Sequence, residues 1–280
     1  MQFSNPWYNR TKWWLQAGLV PVLLFGLWSY SAHASDDPWP SLSREIFKDR
    51  EIRDATDGIQ LLAPQQADDA ALVPISVRLS PTVIATIKSL TLVIDRNPAP
   101  VVGTFTFGAA FRDHIDIGER TIATRVRIDA FSRVRAVVET LSGDLFMVSK
   151  FVIGSGGCSA PASKDVEQAL ADLGKAQMKV FKSDRHPAHW RDGQIMIRHP
   201  NTTGMQMNAK SGDYTPARFI KTIEAKRGNE FLFRMEGGIS LSEDPNIRFT
   251  FGAGDDAPLS FEAVDTEGLH VSARTTFDPS

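Results

Sequence analysis

Apolar and polar residues alternate with a period of two along most of the chain, in two separate blocks. The first runs from Gly58 to Ile153. Val73, Ile75, Val77 and Leu79 alternate with Pro74, Ser76 and Arg78, and Leu90, Leu92 and Ile94 repeat the pattern. Gly103 to Phe107 is a further short strand. Ile122, Thr124, Val126 and Ile128 then face one way, with Arg125 and Arg127 facing the other. Ser132, Val134, Ala136 and Val138 follow, and Leu145 to Ile153 closes the set. About seven short strands with turn signals between them predict an antiparallel β-sandwich. Arginines at alternate positions read as the wet face of a sheet rather than as a binding patch.

The second block runs from Gln177 to Phe277 and predicts a second sandwich of about seven strands. Its strands are Met178 to Phe181, Gln194 to Arg198, Pro216 to Ala225, Phe231 to Met235, Ile247 to Phe251, Leu259 to Ala263 and Leu269 to Ala273. Helical spacing occurs in two places only. Leu42, Ile46 and Phe47 share one face of a helix predicted over Trp39 to Asp54, with Ser41 or Ser43 as its cap. Val166, Ala169, Leu170 and Leu173 predict a short helix in the linker, ended by Gly174. The expected organisation is therefore a segment of 1–34, an N-terminal helix segment of 35–57, sandwiches over 58–158 and 176–280, and a linker over 159–175. Each sandwich is small and the connection is short, so the two are expected to pack face to face.

Residues 1–34 have the order of a secretory signal. Arg10 and Lys12 precede a mostly apolar stretch from Leu15 to Trp28, and Ala32 to Ala34 places small residues at a cleavage site. Asn9-Arg10 is not a twin-arginine pair, so a Sec-type route is expected, with the mature chain beginning at Ser35. The rival is an uncleaved anchor, but the apolar core is short for a span of about 20 residues. The mature chain is expected to be soluble and extracytoplasmic, with no membrane contact after cleavage. A net charge of −2, with both signs mixed along the chain, argues against nucleic acid as a partner.

Export makes the cysteine count informative. The chain has one cysteine, Cys158, so no disulfide can form within it. An unpaired cysteine in an exported protein suggests a reactive thiol or an intermolecular bond. Cys158 follows Gly154, Ser155, Gly156 and Gly157, a backbone with almost no side chains. Those four residues read as a flexible arm that leaves the thiol exposed, since they have nothing to pack over it. Neither Gly156 nor Gly157 lies in a predicted core strand, so replacing both with valine is expected to leave stability nearly unchanged.

Other constellations are weaker. His186 and His189, with His199, Met205 and Met207, offer imidazole and thioether ligands of the kind copper accepts. They lack carboxylate or thiolate companions, and a solvated loop with a strand-end histidine explains them as well. Asp68-Asp69 and Asp255-Asp256 fall short of the six or more oxygens calcium takes and read as turns. No metal or cofactor is expected. A catalytic pairing of Cys158 with His114, His199 or His270 has no local support. No P-loop, nucleophile elbow or dinucleotide fingerprint is present.

The order of several short motifs resembles that of a known pair. The first block is similar to SoxY through Val73 to Val77, Ile94 to Pro98, Thr104 to Gly108, Val134 to Val138 and the Gly-Gly-Cys arm. The second is similar to SoxZ through Ile197 to Pro200, Thr203 to Met205, Ala217 to Ile220, and Phe231 with Phe233. The whole resembles a fused SoxYZ-like sulfur carrier of the kind associated with quinoprotein dehydrogenases. The resemblance implies an all-β chain of two immunoglobulin-like sandwiches in tandem, with short N-terminal and linker helices. It implies no enzyme activity. It implies the periplasm as the location, and a sulfur substrate held covalently on Cys158 and presented to partners of thiosulfate oxidation. Those partners would be c-type cytochromes and a thiosulfohydrolase-like protein, or a quinoprotein dehydrogenase system. In SoxY the arm ends the chain as Gly-Gly-Cys-Gly-Gly. Here Ser159-Ala160-Pro161 and a whole domain follow, so the arm is a tethered loop. A non-covalent accessory module and a thiol enzyme are the competing readings of the same residues.

Overall fold

Alternation is realised as strands through both blocks. The computed structural model describes residues 37–55, 57–112, 118–161, 166–182, 190–208, 211–252 and 257–275. The signal stretch, His114, His186, His189, Asp255 and Asp256 lie outside them. The first block forms β2 (Ile59–Leu62), β3 (Val73–Leu79), β4 (Ile87–Ile94), β5 (Val101–Phe107), β6 (Arg120–Val126), β7 (Ser132–Thr140) and β8 (Leu145–Val152). The second forms β9 (Ala176–Lys182), β10 (Trp190–Ile197), β11 (Ile220–Arg227), β12 (Glu230–Gly237), β13 (Asn246–Gly252), β14 (Leu259–Asp265) and β15 (His270–Thr275). The protein is all-β, two immunoglobulin-like sandwiches in tandem. The reason is visible in β3, where Val73, Ile75, Val77 and Leu79 are buried while the residues between them are not.

The halves do not pack face to face. They join edge to edge, so that each sheet runs through both. One sheet has nine strands in the order β1-β8-β7-β4-β5-β12-β11-β14-β15, where β1 is Ile52–Asp54; the other has six, β2-β3-β6-β13-β10-β9. The seams are β5 against β12, with Phe107 opposite Phe233, and β6 against β13, with Ile122 opposite Phe249. Pairing hides four strand edges that two separate sandwiches would leave open. It also brings phenylalanines from both halves together. The Phe233 ring lies 5.7 Å from Phe105 and 4.9 Å from Phe249, and Phe107 stacks on Phe111 at 4.1 Å. One hydrophobic core therefore spans the seam.

The helices are short. Helix α1 covers Trp39–Phe47 rather than running to Asp54, because Lys48 turns left-handed with φ 59°. The chain then enters β1, which pairs in parallel with β8. Phe47 packs on Val137 and Leu145, while the Trp39 ring covers the guanidinium of Arg135, 4.1 Å away. Arg135 in turn grips Asp95 through two hydrogen bonds of 2.8 Å, both residues being buried. Helix α2 (Pro81–Thr86) has no counterpart in the sequence reading; Ser80 caps it and Pro81 opens it. Helix α3 (Ala109–Arg112) places Phe111 in the core, and α4 (Val166–Asp172) is the linker helix. The strand expected from Pro216 begins at Ile220 instead. No helix among the described residues is long and apolar enough to cross a membrane.

Candidate functional site

The arm is built by backbone contacts. After β8 ends, Ile153 pairs in parallel with Gln66, its N–H donating to Gln65 at 2.9 Å. Gly156 N–H then donates to the Asp129 carbonyl at 2.8 Å, and Gly157 N–H to that of Ile128 at 2.9 Å. Cys158 N–H donates to the Asp129 carboxylate at 3.2 Å. Gly156, with φ 73°, turns the chain so that Ser159 N–H reaches back to its carbonyl.

The second half closes over this turn. Thr203 Oγ1 donates to the Cys158 carbonyl at 2.6 Å, and Gln206 Nε2 to that of Ala160 at 3.1 Å. From the first half, Arg127 Nη1 donates to the Gly157 carbonyl at 3.2 Å. Its Nη2 reaches the carbonyl of Asn201 at 3.5 Å, bridging the arm to the second half. Asn201 is itself pinned, donating to Leu241 and accepting from Ile220 N–H. Asn97, in the turn after β4, accepts from Asp129 N–H and donates to the Arg127 carbonyl, so it sets the loop that receives the arm.

Cys158 is consequently buried, with 0% of its surface exposed. This corrects the expectation of an exposed thiol on a flexible arm at Gly154, Ser155, Gly156 and Gly157. The glycines bring no covering side chains, but their bareness is what lets the backbone lie flat on its neighbours. A Cβ at Gly157 would stand 2.1 Å from the Ala70 carbonyl oxygen and 2.7 Å from that of Ile128. The covering groups come from residues distant in sequence. Burial pushes the thiol up to about 12, the Asp129 carboxylate adds to the rise, and the Arg127 cation works against it. A docked Cys158 is thus a neutral thiol, and the thiolate is the nucleophilic form.

Arg127 is likewise not on a wet face. It is 1% exposed, and burial lowers its pKa from the ordinary arginine value. Asp129, Thr203, Asn201 and Gln206 escaped the sequence reading as site residues, since none sits in a chemical motif, and Arg127 figured there only as a surface arginine. Only the order of Thr203 to Met205 in the SoxZ resemblance touched them.

Both ring nitrogens of His199 face partners other than Cys158. Its Nδ1 accepts from Asn201 N–H at 2.9 Å, which leaves the proton of the neutral ring on Nε2, 3.4 Å from Asp265. Burial lowers its pKa, against the pull of Asp265, so the ring is neutral. Met207 is exposed and His270 lies on the edge strand β15. Among the described residues no three metal-ligating side chains cluster.

Residues 43–158 match the family of the sulfur oxidation protein SoxY, and the match ends on Cys158. Residues 179–276 match that of the sulphur oxidation protein SoxZ. The chain is a SoxY–SoxZ fusion. Among solved structures, the SoxY domain is similar to the sulfur carrier protein SoxY from Chlorobium limicola f thiosulfatophilum. That likeness has 21% identity over 42% of this chain and 91% of that one, with a TM-score of 0.34. A β-glycosidase from Bacteroides vulgatus aligns over 79% of the fusion at 10% identity and a TM-score of 0.23, the fusion spanning 25% of its length. A β-glucuronidase from Parabacteroides merdae aligns over 79% at 9% identity and a TM-score of 0.22, with 24% of its length spanned. The search of curated proteins found no match. In the fusion the docked arm lies where the SoxY domain hands over to SoxZ, and both domains contribute to its seat.

Proposed function

We propose that the fusion is a periplasmic sulfur carrier that holds its cargo covalently on Cys158 and presents it to other sulfur-oxidation proteins. The observation that carries this reading is the seat of the arm. The chain's one cysteine stands at the end of the SoxY match, on a turn held by few side-chain bonds from both domains. Loading requires that the arm leave its seat, because a fully buried neutral thiol neither reacts nor has room for a substituent. Once released, the Cys158 thiolate attacks one sulfur of a sulfur–sulfur bond in the donor. A bond forms between Cys158 Sγ and the cargo sulfur, and the donor bond breaks. The departing sulfur leaves with the electron pair, and the thiol proton passes to solvent. The exchange needs no added oxidant.

Cells that depend on the fusion for thiosulfate oxidation are expected to lose that activity with Cys158→Ser while retaining normal protein levels. Fractionation is expected to place the protein in the periplasm, starting at Ser35. The burial of Cys158 favours one other reading, a non-covalent accessory module for a quinoprotein dehydrogenase. Full activity with Cys158→Ser would decide for that module.

A further inference from the structure

The outer face of the six-stranded sheet carries a cleft of about 490 Å³ where the two domains meet. Arg125 enters it from β6 of the SoxY domain, and Asn246 from the first residue of β13 in SoxZ. Arg198 and Lys175 also line it, together with Asp172 and Asp244. Two of the three cations are matched. Arg198 Nη1 stands 2.5 Å from Asp244, and Lys175 Nζ 2.7 Å from Asp172.

Arg125 is different. A guanidinium has five N–H donors, and this one makes a single hydrogen bond, from Nη2 to the Asp244 backbone carbonyl at 3.1 Å. Its Nε–H is buried without an acceptor, and no carboxylate of the described residues lies within ion-pair distance. The buried Nε–H costs the fold whether or not the cleft is filled. The Nη1 donors make no hydrogen bond and are not among the buried unpaired atoms, so they are the ones a ligand in the cleft can reach. The planar fork of arginine matches an oxyanion with two parallel N–H···O bonds.

We propose that this cleft binds a small oxyanion through Arg125, the one cation of its lining without a carboxylate partner among the described residues. An inorganic sulfur oxyanion and the carboxylate of a small organic acid share this chemistry. The site does not use Cys158. Arg125 precedes by two residues Arg127, which donates to the Gly157 carbonyl of the arm.

The test is calorimetric titration of the full chain carrying Cys158→Ser, at low salt, with thiosulfate, sulfate and succinate. The serine removes covalent loading, so this result is separate from the fate of the carrier reading. At least one anion is expected to bind one-to-one, the inorganic ions or succinate revealing which source fits. Arg125→Gln is expected to weaken binding by about tenfold or more. Asn246→Asp keeps the acceptor for Gln194 Nε2, 3.0 Å away, and adds a negative charge to the cleft, so it is expected to do the same even if Arg125→Gln folds poorly. Arg78→Gln, on the same sheet outside the cleft, is expected to bind normally. No binding by any of the three anions would overturn the proposal. So would unchanged binding in Asn246→Asp, or an equal loss in Arg78→Gln, which marks unspecific charge.

Discussion

Gly157→Val is expected to turn Cys158 from an unreactive thiol into a fast one. The new Cβ falls 2.1 Å from the Ala70 carbonyl oxygen, and both near neighbours are backbone, which cannot swing aside. The arm must leave its seat, and the Arg127 and Thr203 bonds to it break. Each buried donor orphaned in this way costs about 1–3 kcal/mol before water reaches it. The variant should therefore melt lower than wild type, contrary to what the glycine-rich sequence alone suggests. The larger effect is on reactivity. A thiol at about 12 rather than the ordinary 9.0 holds about a thousandfold less thiolate at pH 8, and burial also bars the reagent. Alkylation of the wild-type protein should proceed only through opening of the arm, whereas Gly157→Val should label like a free peptide thiol. Gly156→Val, with φ 73° but open space around its Cβ, should give an intermediate rate. The pH dependence has a fixed sign. The docked pKa is the higher one, so docking is at full strength below about pH 9 and weakens as pH climbs towards 12. Equal slow labelling of wild type and Gly157→Val would show that Gly157 does not hold the arm down.

Phe233→Ala is expected to destabilise both domains at once. Phe233 is fully buried in β12 and touches Phe105 and Phe107 of SoxY as well as Phe249 of SoxZ. Truncating a buried phenylalanine costs about 3–5 kcal/mol. For a chain of this size each kcal/mol moves the melting point by about 2–4 °C. A fall of roughly 10 °C in one cooperative transition is the expected calorimetric result. Two transitions, with only the SoxZ one shifted, would contradict a shared core.

The fold was legible because its signal is local. Alternation at Val73 to Leu79, or at Ile247 to Phe251, states which face is buried without reference to anything distant. The seam was not legible, because edge pairing of β5 with β12 joins Phe107 to Phe233 across more than a hundred residues. The same phenylalanines serve an isolated sandwich equally well. At the site, Cys158 was legible as the only residue of its type, and its environment was not. A run of Gly and Ser usually means mobility, and here it means close approach of two backbones. That distinction depends on the carbonyls of Ala70 and Ile128, which have no signature in sequence. Arg127 illustrates the same limit. It alternates with apolar residues as a surface arginine does, yet it is buried and donates to the carbonyls of Gly157 and Asn201.

The carrier reading is tested most directly by the intact mass of the fusion isolated from thiosulfate-oxidising cells, recorded before and after a thiol reductant. A fraction of molecules is expected to carry extra mass from sulfur. That mass should map to the peptide containing Cys158, vanish on reduction and be absent from Cys158→Ser. An unmodified mass in actively oxidising cells, or an adduct that survives in Cys158→Ser, would contradict the carrier reading.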